Sequence, residues 1–294
     1  MSKLSDVAGL AVLEAVRYGS HSYPVGVEPV LDEVPAHFDI KTPKTLRPYS
    51  MHTEYAAGVR RFDSPLLADL DVILSSSRRG VPELWTSEEW SKELAEFVRR
   101  FAATGLPPSV VEVHPPFRRY CGDVSDFLGT YEVFERDLAQ QLPNAEIVIE
   151  NRRGSRYGGR FLVSTVADLL ELIRGLQGCK LRLRIALDIP QLLSAEAAGE
   201  SLSSALVARV FRSLATSAAM IRTIHIWGRR RAAHVGTLDD LVGRDQRVKE
   251  ALLQGMLQLL GDGRPRLLVP EVNSGQEDFT AIIQDLQEAG FHFQ

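Results

Sequence analysis

Cysteine is nearly absent: two residues, Cys121 and Cys179, in a chain of 294. Two cysteines cannot build a disulfide framework, and no Cys-x-x-Cys spacing exists for a zinc knuckle, so the chain reads as reduced and intracellular. An excess of positive charge is missing too. Lys and Arg total 34 against 38 Asp and Glu, a formal net charge of -4, which excludes a chain coated in basic residues for generic nucleic-acid binding. No apolar run approaches the roughly 18 residues of a membrane span. The N-terminal residues show no secretory pattern, because Glu14 and Arg17 interrupt the short apolar stretch 10–16. A soluble protein of cytoplasmic type, without a membrane partner, is expected. Gly-rich phosphate loops are also lacking: no Gly-x-Gly-x-x-Gly or Walker-type loop follows any candidate strand, which argues against an open, doubly wound nucleotide-binding sheet.

What is present is a repeating cycle. The chain is 45% hydrophobic, ample for a large core, and from about residue 88 helical and strand patterns alternate. Thr86 and Glu89 have capping-box spacing, and Trp90, Leu94, Phe97, Val98 and Phe101 recur at helical intervals until Gly105 and Pro107-Pro108. Val110-Val111-Glu112-Val113 forms a strand ending at His114. A helix carrying Phe127, Tyr131, Phe134 and Leu138 follows, then a strand over 147–149 ending in Glu150. Ser164 is placed to cap a helix bearing Val166, Leu169, Leu170, Ile173 and Leu176, which Gly178 ends. A strand over 181–187 ends at Asp188, and a helix across 202–217 leads to a strand over 221–224 ending in His225. A helix over 245–260 leads to Leu267-Leu268-Val269-Pro270, ending in Glu271; Ser274 and Glu277 then open a last helix with Phe279, Ile282, Ile283 and Leu286 inward.

Parallel strands need crossover helices, so this cycle predicts an α/β fold, a (β/α)8 TIM barrel, as a single domain over 1–294 with an irregular N-terminal portion. The five strands after residue 88 are clear. The remaining candidates are 25–27, 37–40, 50–53 and 72–75.

Each clear strand ends in a residue able to bind a metal: His114, Glu150, Asp188, His225 and Glu271. A single acid or His at a strand end is usually a cap or loop residue; five from five is not what chance supplies. In a parallel barrel these ends converge on one rim. Three carboxylates and two imidazoles meeting there would repel and desolvate one another unless a divalent cation neutralised them. Mixed His and carboxylate donors suit Zn²⁺, Mn²⁺ or Fe²⁺ better than Mg²⁺ or Ca²⁺.

This pattern resembles the xylose isomerase-like TIM-barrel superfamily, which contains endonuclease IV-type AP endonucleases and many sugar isomerases and epimerases. Glu150, Asp188, His225 and Glu271 match, in order and at similar intervals, the Glu, Asp, His and Glu of that superfamily's metal centre, and Glu150-Asn151-Arg152-Arg153-Gly154 resembles its Glu-Asn-x-x-Gly turn. The resemblance covers about residues 50 to 290. His52-Thr53-Glu54-Tyr55 and Val113-His114-Pro115 resemble the His-x-x-Tyr and His-Pro of the endonuclease branch. By that resemblance Glu150 bridges two ions, His52 and His114 hold one, and Asp188, His225 and Glu271 the other, an arrangement suited to clamping a phosphodiester. The third metal of that branch is not expected: Gln191 stands where it has a His, and the Asp-x-His after the later strand is missing, although His234 is present.

Charge placement points the same way. The loops after the strands carry Arg118 and Arg119, then Arg152, Arg153, Arg156 and Arg160, then Arg229, Arg230 and Arg231. A guanidinium fork matches phosphate oxygens, and Arg152, Arg153, Arg229 and Arg231 are the expected phosphate-binding residues. Tyr120, Tyr157 and Trp227, interleaved with them, are either stacking platforms for bases or sugars, or loop anchors. The leading expectation is a metal-dependent phosphoester hydrolase, endonuclease-like and of DNA-repair type, acting on an anionic substrate such as DNA or RNA. Zn or Mn, one or two ions, is its cofactor, with Glu150 and Glu271 catalytic and His234 orienting the scissile group. Two rivals are a divalent-metal-dependent sugar or sugar-phosphate isomerase or epimerase, in which Glu150 and Glu271 are paired acid and base, and a non-catalytic nucleic-acid-binding barrel.

Overall fold

The computed structural model describes residues 9–36, 47–53, 64–77, 83–154 and 159–294. The strand order is β2-β3-β4-β5-β6-β7-β8-β1-β9 with a further β1–β2 pairing, where β1 is Val12–Arg17, β2 Leu31–Ala36, β3 Tyr49–Thr53, β4 Val110–Val113, β5 Glu146–Glu150, β6 Arg184–Asp188, β7 Ile221–Ile226, β8 Pro265–Pro270 and β9 His292–Phe293. Eight strands in that order, with helices between successive strands from β3 to β8, are the topology of a (β/α)8 barrel. The chain divides into two compact units, Asp32–Ile185 and Met1–Leu31 with Ala186–Gln294.

In the unit Asp32–Ile185, β2 to β5 pair in parallel, and their register decides which side chains meet. His52 lies opposite Pro35 and Glu112, and Glu112 opposite Val148. Because side chains alternate along a strand, Glu33, His52, Glu112 and Glu150 share one face of this sheet. Tyr49, Met51, Val111, Val113, Ile147 and Ile149 take the other face, all buried. The Tyr49 ring there meets Phe101 of α2, Glu88–Ala102, at 6.2 Å between centroids.

The helices of this unit follow from capping and periodicity. Ser87 caps α2 by accepting from the Trp90 N–H, so the cap falls one residue after the expected Thr86. Asp123 caps α3, Val124–Gln141. Thr165, again one residue beyond the expected Ser164, caps α4, Val166–Gln177, in a reciprocal box with Asp168. The Ser164 hydroxyl donates instead to the Arg152 and Phe161 carbonyls. Residues 72–75, expected as a strand, lie in α1, Asp71–Ser77. The Glu93 carboxylate of α2 accepts from the Val72 and Ile73 N–H groups at the start of α1, a tertiary cap that overrides the β-branched run.

In the other unit, β7, β8, β1 and β9 pair in parallel, with His225 opposite Val269. β1 occupies the stretch that sequence pattern reads only as briefly apolar, and residues 25–27, a strand candidate, form a turn. Residues 37–40, the remaining candidate, lie outside the described residues. The helices here are α5 Ile189–Ala197, α6 Ser204–Leu214, α7 Leu238–Leu241, α8 Gln246–Leu260 and α9 Gln276–Glu288. Gly275, not Ser274, precedes α9, and the Ser274 hydroxyl accepts from the Gly236 N–H. Arg266, 1% exposed, turns its guanidinium onto the carbonyls of Ala218, Ile221, Leu260 and Arg264 and onto Asp262 at 2.7 Å. A buried charge is retained because every donor finds an acceptor. No helix among the described residues is long and apolar enough to cross a membrane.

Candidate metal centre

On the shared face of β2 to β5, the register and the period of two bring His52, Glu112, His114 and Glu150 together. Each offers one ligating atom, and these atoms all lie within 4.8 Å of one another. All four residues are buried, Glu112 completely. The His52 Nε2 lies 3.0 Å from the His114 Nε2, 3.1 Å from a Glu112 oxygen and 3.5 Å from Glu150 Oε2. His114 Nε2 lies 2.9 Å from the same Glu150 oxygen. Glu33 approaches the other nitrogen of His52, Nδ1, at 3.5 Å, the position of an outer carboxylate that fixes the ring and aims Nε2 at the cluster. His114 is held from behind: the Trp85 indole N–H donates to its carbonyl at 2.6 Å.

The electrostatics are those of a crowded, water-poor site. Burial works against charging His52, but Glu112, Glu150 and Glu33 outweigh it and hold its imidazolium well above the ordinary histidine range. Burial, aided by Arg152 and His52, pushes His114 down to about 4 against the pull of Glu150. Burial opposes ionisation of Glu150, but Arg152, His114 and His52 overcome it and keep the carboxyl well below its usual range. The His114 Nε2 thus faces an imidazole nitrogen, a carboxylate oxygen and, at 3.2 Å, the Arg152 guanidinium. One nitrogen has a single site for a proton or a lone pair and cannot answer all three. Two imidazole nitrogens and two carboxylates converging in this way fit a divalent first-row cation: this buried cluster could hold a metal.

A second constellation lies within the other unit. Asp188 caps α5: one carboxylate oxygen accepts from the Gln191 N–H at 2.8 Å, and the other faces the Trp227 indole N–H at 3.2 Å. His225, fully buried, places Nδ1 3.3 Å from Glu271 Oε1, and His234 places its own Nδ1 3.3 Å from Glu271 Oε2. Glu271 therefore stands between two imidazoles. His234 adopts a left-handed backbone conformation, φ 60°, and its ring stacks on Trp227 at 4.5 Å. Trp227, 2% exposed, is an anchor for this cluster and presents no face to solvent.

The arginines divide by partner. Asp168 holds both Arg118 and Arg160, at 2.7 and 2.5 Å, while it serves in the α4 cap. Arg230 is held by Asp240 and Asp278. Arg119 lies over the Tyr120 ring at 4.5 Å. Arg229 donates to the Ser194 hydroxyl at 2.9 Å, and Arg153 and Arg231 are exposed. Of the expected phosphate binders, Arg152 adjoins the His–Glu cluster. Glu54, Tyr55, Arg156 and Tyr157 lie outside the described residues. Sequence reasoning passed over Glu112, Glu33 and Trp85. Glu112 carries a signal all the same, a lone charge in the middle of an otherwise apolar strand.

No family model matches the chain, and no curated protein does. Solved structures do resemble it. One, described as the crystal structure of AsfvAP:AG, aligns with a TM-score of 0.52 at 12% identity over 83% of this chain and 86% of that one. Another is an AP endonuclease, family 2, from Brucella melitensis, with a TM-score of 0.45 at 10% identity over 67% of each chain. A third is a xylose isomerase domain containing protein from Salmonella typhimurium, with a TM-score of 0.44 at 11% identity over 75% of this chain and 80% of that one. At such identities the likeness is one of fold alone.

Proposed function

We propose that the protein is a metal-dependent phosphoester hydrolase of endonuclease type, acting on nucleic-acid phosphodiesters. The observation that carries this reading is the place of His52, whose Nε2 joins His114 and Glu150 in one buried cluster. A sugar isomerase needs no such second imidazole beside Glu150; a phosphodiesterase uses it to complete a cation site. Zn²⁺ or Mn²⁺ bound there supplies Lewis-acid polarisation of a phosphoryl oxygen and makes water a stronger nucleophile at neutral pH. The chain's own residues supply the rest. Arg152, partly exposed at the margin of the cluster, binds a non-bridging phosphate oxygen. Glu150, ionised by its neighbours, and the two imidazoles give the site its affinity for a cation. Water gives up a proton as it adds to phosphorus, the ester P–O bond breaks, and the departing alkoxide takes up a proton in exchange. Asp188, His225, Glu271 and His234, carried by the other unit, are the further candidate residues of this reading. DNA or RNA is the substrate class; a sugar phosphate is the alternative.

The test is cleavage by the purified chain loaded with Zn²⁺ or Mn²⁺, on abasic, damaged and single-stranded DNA and on RNA. Cleavage that His52→Ala abolishes is the expected result. No cleavage of any of these, together with solvent-deuterium incorporation into a ketose that His52→Ala leaves intact, overturns the reading in favour of an isomerase.

A further inference from the structure

We infer that Glu112 is a fourth direct ligand to the cation, additional to His52, His114 and Glu150; the inference rests on the metal-dependent reading of that cluster. Donor atoms about 2.1 Å from one ion stand about 3.0 Å apart in an octahedron and about 3.4 Å apart in a tetrahedron. The separations here are 2.9 Å for His114–Glu150, 3.0 Å for His52–His114, 3.1 Å for His52–Glu112 and 3.5 Å for His52–Glu150. Glu112 thus stands from His52 at the same distance as the other donors stand from one another. It lies on the Nε2 side of His52, where the other donors converge, and not on the Nδ1 side as Glu33 does.

The backbone makes this placement compulsory. Glu112 is the register partner of His52 and lies two residues before His114, so the pleat aims all three at the same face. Its flanking residues, Val111 and Val113, are fully buried on the opposite face. A carboxylate in the middle of a central strand, 0% exposed, costs several kcal/mol in desolvation unless a counter-charge meets it. Three carboxylates, Glu33, Glu112 and Glu150, converge on the His52 ring, an excess of acceptor oxygens over the Arg152 guanidinium that stands by Glu150. A divalent cation balances that excess. Four protein donors would leave a six-coordinate ion two positions for water and substrate.

The experiment uses the full chain, stripped with chelator and titrated with Mn²⁺, free ion being counted by electron paramagnetic resonance. Wild type binds Mn²⁺, and E112Q, which keeps the shape and removes the charge, raises the dissociation constant at least tenfold while its circular dichroism is unchanged. Should E112Q fail to fold, E112D replaces it: drawing the carboxylate back by one methylene weakens Mn²⁺ binding at least tenfold. Wild-type affinity in the folded variant assigns Glu112 to a structural pair with His52 and overturns the inference, as does a wild type that binds no Mn²⁺. Cleavage is a separate readout. Glu112-dependent Mn²⁺ binding without cleavage of any nucleic acid upholds this inference and removes the hydrolase reading.

Discussion

The Nε2 atoms of His52 and His114 face each other at 3.0 Å inside a buried patch that also holds Glu112 and Glu150. Two imidazoles approach nose to nose only when something lies between them: a proton or a cation. In the metal-free chain the proton sits on His52, where three glutamates hold it, and His114 stays neutral. Cation binding must displace that proton, so loading is coupled to proton release and weakens as pH falls.

Metal should stabilise the fold measurably. A ligand at a hundred times its dissociation constant adds about 2.7 kcal/mol, and in a chain of this size each kcal/mol moves the melting temperature by about 2 °C. Saturating Mn²⁺ or Zn²⁺ is expected to raise Tm by roughly 5 °C, chelator to reverse it, and H52A/H114A to abolish the response in differential scanning fluorimetry. A Tm indifferent to both ions in the wild type contradicts the metal centre.

Asp168 gives the fold an acid-sensitive tie. Burial resists its ionisation, but the Thr165 and Ser164 N–H groups and the Arg160 guanidinium prevail and hold its carboxyl below the ordinary value of 3.8. A depressed carboxyl contributes stability that is fully present above its unfolded pKa and is lost as pH falls through the lower folded value. Urea unfolding should therefore show wild type losing stability below about pH 4, with D168N shallower in that window. At pH 7 D168N should be less stable by about 1–3 kcal/mol, since it loosens Arg118, Arg160 and the α4 cap together. Equal stability of the two at pH 7 would remove Asp168 from this role.

Gly255 in α8 decides how closely α6 approaches. A Cβ there would lie 2.4 Å from the Phe211 ring. Helix propensity alone favours Gly→Ala by about 1 kcal/mol, whereas overpacking a core contact costs about 1–3 kcal/mol. The clash should win: G255A is expected to destabilise by up to about 2 kcal/mol in chemical denaturation. Adding Phe211→Leu should return part of that loss, a coupling that a double-mutant cycle reads directly.

The strand ends were legible because parallel strands announce themselves as short apolar runs with a polar residue at the end. His114, Glu150, Asp188, His225 and Glu271 stood out in that way, and each lies at or within two residues of a strand end. Glu112 was visible but misread, since strand periodicity treats a mid-strand residue as filler unless the neighbouring register is known. Glu33 was hidden because Leu31-Asp32-Glu33-Val34-Pro35-Ala36 has neither alternation nor a β-branched run. Residues 72–75 look like a strand, and the Glu93 carboxylate that caps them as a helix lies about twenty residues away in sequence. The caps at Ser87 and Thr165 each missed by one, because adjacent Ser and Thr pairs offer two hydroxyls and backbone geometry picks between them. Counting charges does not reveal that Asp168, Asp240 and Asp278 hold Arg118, Arg160 and Arg230, three of the nine arginines grouped in these loops.

Arg152 separates phosphate recognition from metal binding. Its guanidinium is 3.5 Å from Glu150 and 3.2 Å from His114, with 23% of the side chain exposed, so it can meet a substrate oxygen while its charge repels the cation. R152A should lower kcat/KM for phosphodiester cleavage by about 10²–10³, the scale of losing one preorganised donor to a developing anion. R152K restores charge without the two-pronged fork and should recover only part of that. Mn²⁺ affinity in R152A should be unchanged or tighter, because a cation repels a cation. Turnover lost with loading intact assigns Arg152 to the substrate. Loading lost alongside turnover would make it a support of the metal ligands, and a neutral-ketose exchange activity untouched by R152A would remove phosphate from the reaction altogether.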